Sequence, residues 1–193
     1  MEKEKEKEKI FVNKPKLIIS RIKKNHYNIF MTVENRNIFM EKILNFNLIK
    51  VIFEVNKNYF ESCLLEENEN GTEGDLYLLV KPLFKELGVF QRYISLHVTK
   101  HENKQNGTID FVGVSFPEYG KKNNQCKKAM MAPIKEMPIS SQIYNAHKMS
   151  LTIQIILEDD FEIPTLLEKI FINLLKDSYL KTIDFLEKIS RQL

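Results

Sequence analysis

The sequence contains no tryptophan and has only two cysteines, six glycines and six prolines among its 193 residues. Cys63 and Cys126 stand far apart, and neither belongs to a Cys-x-x-Cys or mixed Cys/His pattern. The sequence therefore supports neither a disulfide framework nor a zinc site, and its cysteine usage fits a reducing compartment. Hydrophobic residues make up 43% and charged residues 28%, the ordinary range for a globular protein. At this length we expect one domain.

An excess of one charge and long apolar runs are also missing. The 29 basic and 26 acidic residues give a net charge of +3, too balanced for the surface of a typical nucleic-acid-binding protein. No apolar run approaches the roughly 18 residues that span a bilayer. The run MEKEKEKEK has neither the apolar core of a secretory signal nor the acid-poor composition of a transit peptide. We therefore expect a cytoplasmic protein with no nucleic-acid partner, whose residues 1–13 form a disordered charged tail.

The sequence offers few groups for catalysis or metal binding. His97 and His101 have the spacing that chelates a metal on a helix, but along a strand their side chains stand roughly 13 Å apart. No Gly-x-Ser-x-Gly, P-loop or Gly-x-Gly-x-x-Gly pattern occurs. We expect no metal and no cofactor, and the sequence gives no positive evidence for an enzyme.

Short runs that alternate in polarity, or are rich in β-branched and aromatic residues, predict several strands. These runs are NIFMTVEN, VIFEV, NYFESCLL, DLYLLVKPL, YISLHVTKH, TIDFVGVSF and KMSLTIQIIL. Asn70-Gly71 and Asn106-Gly107 lie between such runs, where Asn-Gly favours tight reversals. Gly113 lies inside a run and marks a bulge or a close approach by another group. IFMEKILNFNLIK predicts a short amphipathic helix.

The stretch IQIILEDDFEIPTLLEK connects the last predicted strand to a helix. Pro164 disfavours helical geometry at the preceding residue, and Thr165 with Glu168 matches a capping box, so we expect the helix to begin there. Apolar residues at helical spacing continue to about Ile189 and predict one long amphipathic helix. The three acids at 158–160 lie near the positive end of the helix macrodipole and have no partner base, so we interpret them as a turn.

These elements predict an α+β domain in which a curved antiparallel β-sheet grips a long C-terminal α-helix, over residues 14–193 with an irregular loop at 118–145. This is the START-like (SRPBCC, helix-grip) layout. The runs VKPLFKELGVFQRYISLHVTKHENKQNGTIDFVGVSF and KMSLTIQIILEDDFEIPTLLEKIFINLLKD resemble an uncharacterised DUF family of photosynthetic lineages. Members of that family tend to end the last helix with Asp-Tyr and a tryptophan three residues later. Here Asp184-Phe185 is followed by Lys188.

The resemblance implies a hydrophobic cavity between the sheet and the helix. The residues expected to line it are Ile153, Ile155, Leu167, Ile170, Phe171 and Leu174. The leading hypothesis is the binding or carriage of a small hydrophobic molecule of lipid or isoprenoid type. The alternative is a scaffold or interaction protein with the same fold and a filled core, because apolar stripes are chiefly packing residues.

Three further alternatives stay open. A group of lysines in the irregular loop forms either a solvated surface or a contact with anionic membrane lipid. These lysines are Lys121, Lys122, Lys127 and Lys128. A cyclase or hydrolase of the same superfamily would need a polar pair inside the cavity, from residues such as Tyr93, His97 or Asp110. The distribution of the resembling family makes a plastid-type organelle the alternative to the cytoplasm.

Overall fold

Most of the chain alternates apolar and polar residues, and these segments form the strands of one sheet. The structure is a computed structural model that describes residues 8–82, 90–103, 105–124 and 128–190. The strands are β1 (Lys9–Lys14), β2 (Leu17–Lys23), β3 (His26–Glu34), β4 (Phe60–Glu67), β5 (Glu73–Val80), β6 (Arg92–Asn103), β7 (Thr108–Ser115), β8 (Met130–Met131), β9 (Ile134–Asn145) and β10 (Lys148–Leu157). The helices are α1 (Met40–Ile43), α2 (Asn47–Val55), α3 (Pro117–Asn123) and α4 (Thr165–Lys188). No described helix is both long and apolar enough to cross a lipid bilayer.

The strand order across the sheet is β1-β2-β3-β10-β9-β7-β6-β5-β4, and all neighbours on this path are antiparallel. The two-residue strand β8 pairs in parallel with β6. β10 lies between β3 and β9, so the last strand joins the N-terminal strands to the rest of the sheet. α4 follows β10 and packs against β2 and β3 on one face of the sheet, here called the inner face. The large antiparallel sheet with a long C-terminal helix confirms the predicted α+β class.

Period-two patterning places the core on the inner face. Alternate residues of β3 and β10 point toward α4 and are almost completely buried, including Ile29, Met31, Met149 and Leu151. α1 and the residues around it close one end of this core, where Phe46 packs edge-on against Phe111 with ring centroids 5.8 Å apart. The main core therefore extends along the inner face from β2, β3 and β10 to buried residues of β5, β6 and β7.

A second, smaller core lies on the opposite, outer face. Tyr77 and Tyr93 point outward from β5 and β6 and are covered by Tyr119 of α3. Gly120 permits this contact, because a Cβ atom there would lie 2.6 Å from Cε2 of Tyr93. The face of β6 that was expected to be polar is thus partly buried by α3.

The prediction of an irregular loop at 118–145 is wrong for much of that range. Residues 118–123 belong to α3, and residues 134–145 form the central strand β9. Pro138 and several polar residues make the sequence of β9 resemble that of a loop. In the structure β9 is a strand that pairs with β7 on one side and with β10 on the other. The described pairing of β9 with β10 passes from Ile139 to Glu136 around Pro138, which has no N–H to donate.

Two other sequence assignments differ from the structure. VIFEV belongs to α2, where local helical packing replaces the expected strand. Residues 9–13, expected to be part of a disordered tail, lie in β1, because their backbone pairs with β2 and buries Val12. The rest of the tail, at 1–7, lies outside the described residues.

The predicted turns and the hairpin of β4 and β5 are confirmed. Gly71 and Gly107 both have a φ of +62°, which the Asn-Gly turns require. Gly113 is a place of close approach and not a bulge. A Cβ there would lie 3.1 Å from Cδ1 of Leu96, and the β6–β7 register is continuous.

The helix α4 spans nearly the predicted range, but its N-terminus differs from the expected capping box. Its N-cap is Pro164, and no side chain caps it by a hydrogen bond. Glu168 turns toward the sheet and is buried, because Arg21 and Tyr27 supply donors there. Leu166 is 61% exposed. The helix therefore uses Glu168 as an interior contact rather than as a cap.

Candidate ligand-binding site

The inner face is not equally well covered along the sheet. On β3 and β10, Ile29 and Leu151 keep 0% and 1% of their surface accessible. On the central strand β9, Met137 and Ile139 also face inward, because Ile139 lies directly opposite Ile153 and Phe111. Both β9 residues remain only partly buried although they pack against the main core. Inward residues at the centre of a covered sheet keep accessible area when the space above them is incompletely filled.

The same contrast occurs on β5 and β6. Leu76 and Leu96 are buried, whereas Leu78 and Ile94, which form the next inward pair, are only partly buried. The segment that connects β5 to β6 includes residues 83–89, which lie outside the described residues. The partly covered region therefore extends from β9 toward β5 and β6.

The middle of α4 faces this region with residues that are also incompletely covered. Phe171, Leu175 and Tyr179 pack against the main core but stay partly accessible, while Ile172 and Ile183 beside them are buried. We call the region between these three residues and the inner face of β5, β6 and β9 the interior space. Its described lining is mostly apolar, but it includes the hydroxyl of Tyr179, and Lys100 lies on the inner face of β6 opposite Phe111 with 14% of its side chain exposed.

Tyr179 combines two properties that seldom occur together. Part of its side chain is accessible, yet burial raises the pKa of its hydroxyl to about 12. Tyr179 therefore lies at the boundary between the packed and the accessible parts of α4. No residue in the described part of the chain forms a hydrogen bond with the hydroxyl of Tyr179.

The N-terminal end of α4 is held by a buried ionic contact. The Glu168 carboxylate accepts a hydrogen bond of 2.6 Å from Arg21 Nη1 and one of 2.8 Å from the Tyr27 hydroxyl. Burial, with the hydrogen bond from Tyr27 to Glu168 as the next cause, raises the pKa of Tyr27 to about 12. The ring of Tyr27 also packs edge-on against Phe171, with centroids 5.4 Å apart. This contact joins the end of α4 to β2 and β3.

The C-terminal end of α4 is held by an amide. Asn35, directly after β3, donates from Nδ2 to the carbonyl oxygens of Leu186 and Ile189 at 2.7 and 2.8 Å. These bonds satisfy carbonyl groups that a helix C-terminus leaves without partners. Both ends of α4 are thus fixed to the N-terminal strands by directional polar contacts.

A third polar contact joins α4 to α2. Nδ2 of Asn56, at the C-cap of α2, donates to Thr182 Oγ1 at 3.2 Å and contacts the Ser178 carbonyl oxygen at 3.4 Å. Asn56 is fully buried, and its Oδ1 atom has no hydrogen-bond partner. α2 therefore borders the flank of α4 that carries Ser178.

The structure separates the six predicted lining residues into two groups. Ile153 and Ile155 lie on the inner face of β10 and are 3% and 6% exposed, and Phe171 borders the interior space. The remaining three are partly exposed: Leu167 and Leu174 lie on a flank of α4 beside the buried stripe, whereas Ile170, two residues after Glu168, lies on the opposite side of the helix. By helical geometry of about 100° per residue, Leu167 and Leu174 share the flank of Ser178, next to α2. They lie toward the edge of the interior space, not at its centre.

Sequence reasoning missed several residues that border the interior space. They are Leu78, Ile94, Met137, Ile139, Leu175 and Tyr179. Leu78 and Ile94 lie in strands that were recognised, so their inward direction follows from the alternation. Met137 and Ile139 were missed with β9 itself. Tyr179 interrupts an apolar stripe at a position one turn before Ile183, and that spacing identifies it as an inward polar residue.

The residues considered for a superfamily enzyme do not meet in the interior space. Tyr93 and His97 share the outer face of β6, and His97 Nδ1 lies 2.7 Å from Asp75 Oδ1. Asp110 accepts a hydrogen bond of 3.3 Å from the backbone N–H of Ser141. Within the described residues, no group of three or more His, Cys, Asp or Glu side chains is arranged to hold a metal ion.

The predicted lysines lie near exposed apolar residues. Lys121 and Lys122 are exposed on α3 and Lys128 is exposed before β8, while Lys127 lies outside the described residues. Phe90 and Met130 are 64% and 49% exposed. They are close together, because the Met130 N–H donates to the carbonyl oxygen of Gln91 at 2.9 Å. Phe90 and Met130, here called the Phe90–Met130 patch, are two exposed apolar side chains, and the exposed Lys128 lies two residues before Met130.

These features define an α+β helix-grip domain whose inner face keeps partly accessible apolar residues on β5, β6 and β9. Solved structures with a similar architecture include STAR-related lipid transfer proteins. The chain is similar to a STAR-related lipid transfer protein fragment from Xanthomonas axonopodis, with a TM-score of 0.69 and 12% identity over 94% of this chain and 99% of that one. It is also similar to the lipid transfer and protein localization domain of human StarD13, with a TM-score of 0.67 and 12% identity over 93% and 88% of the two chains.

Human StAR-related lipid transfer protein 5 gives a TM-score of 0.67 at 10% identity, over 94% of this chain and 86% of that one. At these identities the similarity shows a shared START-like fold. No family model and no curated protein sequence matches the chain.

Proposed function

We propose that the protein binds a small hydrophobic molecule of lipid or isoprenoid type in the interior space, between α4 and the inner face of the sheet. The observation that carries this proposal is the partial accessibility of Met137 and Ile139 on the inner face of the central strand β9. A fully packed interior leaves few voids larger than a water molecule. The names of the structural neighbours, which describe lipid transfer, support the same class of ligand.

The proposal assigns Ile153, Ile155 and Phe171 to the wall of the site. Leu167 and Leu174 line its edge beside α2, where a ligand passes between α4 and the sheet, whereas Ile170 lies on the opposite side of α4 and takes no part in the site. No cofactor takes part, and membership of the uncharacterised family of photosynthetic lineages stays a prediction. Residence in the cytoplasm also stays a prediction.

The first test is native mass spectrometry of the gently purified protein, followed by solvent extraction and lipid analysis. We expect a stoichiometric apolar species that is lost on Leu175→Trp, because the larger ring occupies the interior space without displacing packed neighbours. The control is Val114→Trp, which makes a similar change at a residue that is 49% exposed on the sheet surface.

The alternative, a scaffold protein with a filled core, gives the opposite result. In a filled core Leu175→Trp forces extra atoms into packed surroundings and lowers stability by about 1–3 kcal/mol. A protein that is always empty, takes up no fluorescent lipid, and is destabilised by Leu175→Trp but not by Val114→Trp would contradict ligand binding and favour the scaffold.

We further propose that the Phe90–Met130 patch contacts the surface of a membrane from which the ligand is taken. Exposed apolar side chains beside lysines suit a surface of anionic lipids, to which each nearby basic residue adds about 1 kcal/mol of attraction. We expect sedimentation with phosphatidylserine-containing vesicles to decrease on replacing Lys121 and Lys122 with Glu. Replacing the exposed residues Lys14 and Lys23 instead gives the same change of net charge. Equal losses for the two pairs would show that net charge alone causes the binding.

A further inference from the structure

A row of three ionisable side chains crosses the outer face of the sheet beside α3. Glu66, Asp75 and His97 lie directly opposite one another on β4, β5 and β6. His97 Nδ1 lies 2.7 Å from Asp75 Oδ1, so the imidazole contacts one oxygen of that carboxylate. Glu66 is exposed and forms no ion pair within the described part of the chain. The row therefore carries two carboxylates and at most one compensating charge.

The two carboxylates of this row are placed where like charges repel. Glu66 and Asp75 form a directly opposed cross-strand pair, in which the Cβ atoms are about 4.5–5.5 Å apart. Like charges directly opposite each other destabilise a sheet. A positively charged group bound between the two carboxylates would remove a cost that the free protein carries.

Tyr119 of α3 brings its hydroxyl to the same place. Its ring stacks on Phe116 with centroids 5.9 Å apart, and Phe116 packs edge-on against His97 at 6.1 Å. The Tyr119 side chain is buried, and its hydroxyl oxygen has no hydrogen-bond partner among the described residues. After burial, the nearby carboxylates of Glu66 and Asp75 are the next causes that raise the pKa of Tyr119 to about 12. Buried polar atoms in native proteins are nearly always paired, so this oxygen indicates a missing partner.

Leu64 adds an apolar surface beside these polar groups. It lies on β4 two residues before Glu66, so both side chains point to the outer face, and Leu64 is 43% exposed. Among the described residues, no group of His, Cys, Asp and Glu is arranged to hold a metal ion. An apolar surface next to acidic groups suits a cation on an aliphatic chain, because such a chain packs while its charged end pairs.

We infer that an outer-face site, formed by Leu64, Glu66, Asp75 and Tyr119, binds an alkyl ammonium or alkyl guanidinium group. The two carboxylates accept hydrogen bonds from its N–H groups, the Tyr119 oxygen accepts another, and the aliphatic chain lies on Leu64. Because Glu66 is exposed, its side chain can change rotamer and admit the cation to the hydroxyl. A basic side chain of a partner protein and a free polyamine both supply this chemistry. The site lies on the face opposite the interior space and does not depend on a ligand there.

Four probes that share one butyl chain test this recognition. They are n-butylammonium, n-butylguanidinium, butyltrimethylammonium and n-butanol, each titrated into the protein while the NMR signals of the backbone amides in β4, β5 and β6 are followed. We expect the first two to bind roughly tenfold more tightly than butyltrimethylammonium, which has the charge but no N–H donor. The uncharged n-butanol should bind most weakly.

Two variants separate the carboxylate from the hydroxyl. Glu66→Gln should weaken n-butylammonium binding roughly tenfold, and it should raise the Tm of the ligand-free protein by about 1–2 °C because the repulsion with Asp75 is lost. Tyr119→Phe should weaken n-butylammonium binding roughly three- to tenfold and leave butyltrimethylammonium binding unchanged. The matched controls are Glu41→Gln, at an exposed residue of α1, and Tyr144→Phe, at a residue that is 57% exposed.

A further comparison identifies the source of the cation. Spermidine represents a free polyamine, and a blocked glycine pentapeptide with one central arginine represents a partner protein. Tighter binding of either supports the site and names its source.

Three results would overturn the inference. If neither n-butylammonium nor n-butylguanidinium binds more tightly than n-butanol, the outer face has no cation site. If butyltrimethylammonium binds as tightly as n-butylammonium, the role of the Tyr119 hydroxyl is refuted. Equal losses on Glu66→Gln and Glu41→Gln would show that net charge alone attracts the cation. None of these results bears on the interior space, which the lipid analysis of the purified protein tests separately.

Discussion

Replacement of Glu168 by alanine tests the polar anchor at the start of α4. The Glu168 side chain is 6% exposed, whereas that of Arg21 is 35% exposed. Removing the carboxylate leaves the Tyr27 hydroxyl buried without its acceptor, which costs about 1–3 kcal/mol. Breaking a fully buried ion pair costs about 3–5 kcal/mol, but water can reach Arg21, so the lower end applies.

We therefore expect Glu168→Ala to lower the free energy of unfolding by about 3 kcal/mol, which lowers the Tm of a chain of this size by about 6–12 °C. Urea unfolding followed by circular dichroism measures the free energy, and thermal scans measure the Tm. Glu168→Gln keeps an oxygen that accepts from Tyr27 and should lose less. The control Glu162→Ala removes an exposed carboxylate that pairs with Lys24, and should have no measurable effect.

A capping role for Glu168 predicts a different pattern. In a capping box, Thr165→Ala also removes a cap and costs about 1 kcal/mol, whereas here Thr165 makes no capping hydrogen bond and its replacement should be neutral. A loss below about 0.5 kcal/mol for Glu168→Ala, together with a clear loss for Thr165→Ala, would refute the buried anchor. Tyr27→Phe should cost less in the Glu168→Ala background than in the wild type, because the two side chains are coupled.

Two further predictions concern buried polar groups. Asn35→Ala should lower the free energy of unfolding in a urea titration by about 2 kcal/mol, because the last turn of α4 loses two hydrogen bonds. Asn35 and Asn145 each also accept a hydrogen bond from the N–H two residues later, so the control Asn145→Ala removes that turn contact alone and should cost much less. Burial is the main cause that raises the pKa of three tyrosines, Tyr27, Tyr119 and Tyr179, from 10.0 to about 12. Between pH 10 and 12 the unfolded chain therefore releases protons that the folded chain keeps. The free energy of unfolding falls as the pH rises through this range. Tm measured across this range should fall less steeply in Tyr27→Phe and Tyr179→Phe, and an unchanged slope in both would contradict the assigned shifts.

The sequence predicted the elements whose patterns are local. The alternation along β3, β6 and β10 and the helical spacing after Pro164 each occur within one element, so the α+β sheet and its long helix could be recognised. β9 could not be recognised in this way, because its polar residues and Pro138 resemble a loop. Its identity as a strand depends on pairing with β7 and β10, which are remote in sequence.

The candidate site was predicted less completely than the fold. Periodicity gives the apolar stripe of α4 but not the rotation of the helix, which the contacts of Glu168 and Asn35 with the N-terminal strands fix. For that reason Leu167 and Leu174 lie on a flank and Tyr179 faces inward. The apolar residues of an unfilled region have the same pattern as those of a filled core, so sequence alone could not distinguish the two.

The position of β10 between β3 and β9 has a consequence for how the chain reaches its native state. Ile153 pairs with Ile29, roughly 120 residues earlier, so the pairing of β10 with β3 forms only after the long segment between them is ordered. During synthesis β1, β2 and β3 leave the ribosome as a three-stranded meander whose last edge has no partner until β10 follows. Until β10 is made, that free edge of β3, which carries Ile29 and Met31, can pair with a strand of another chain.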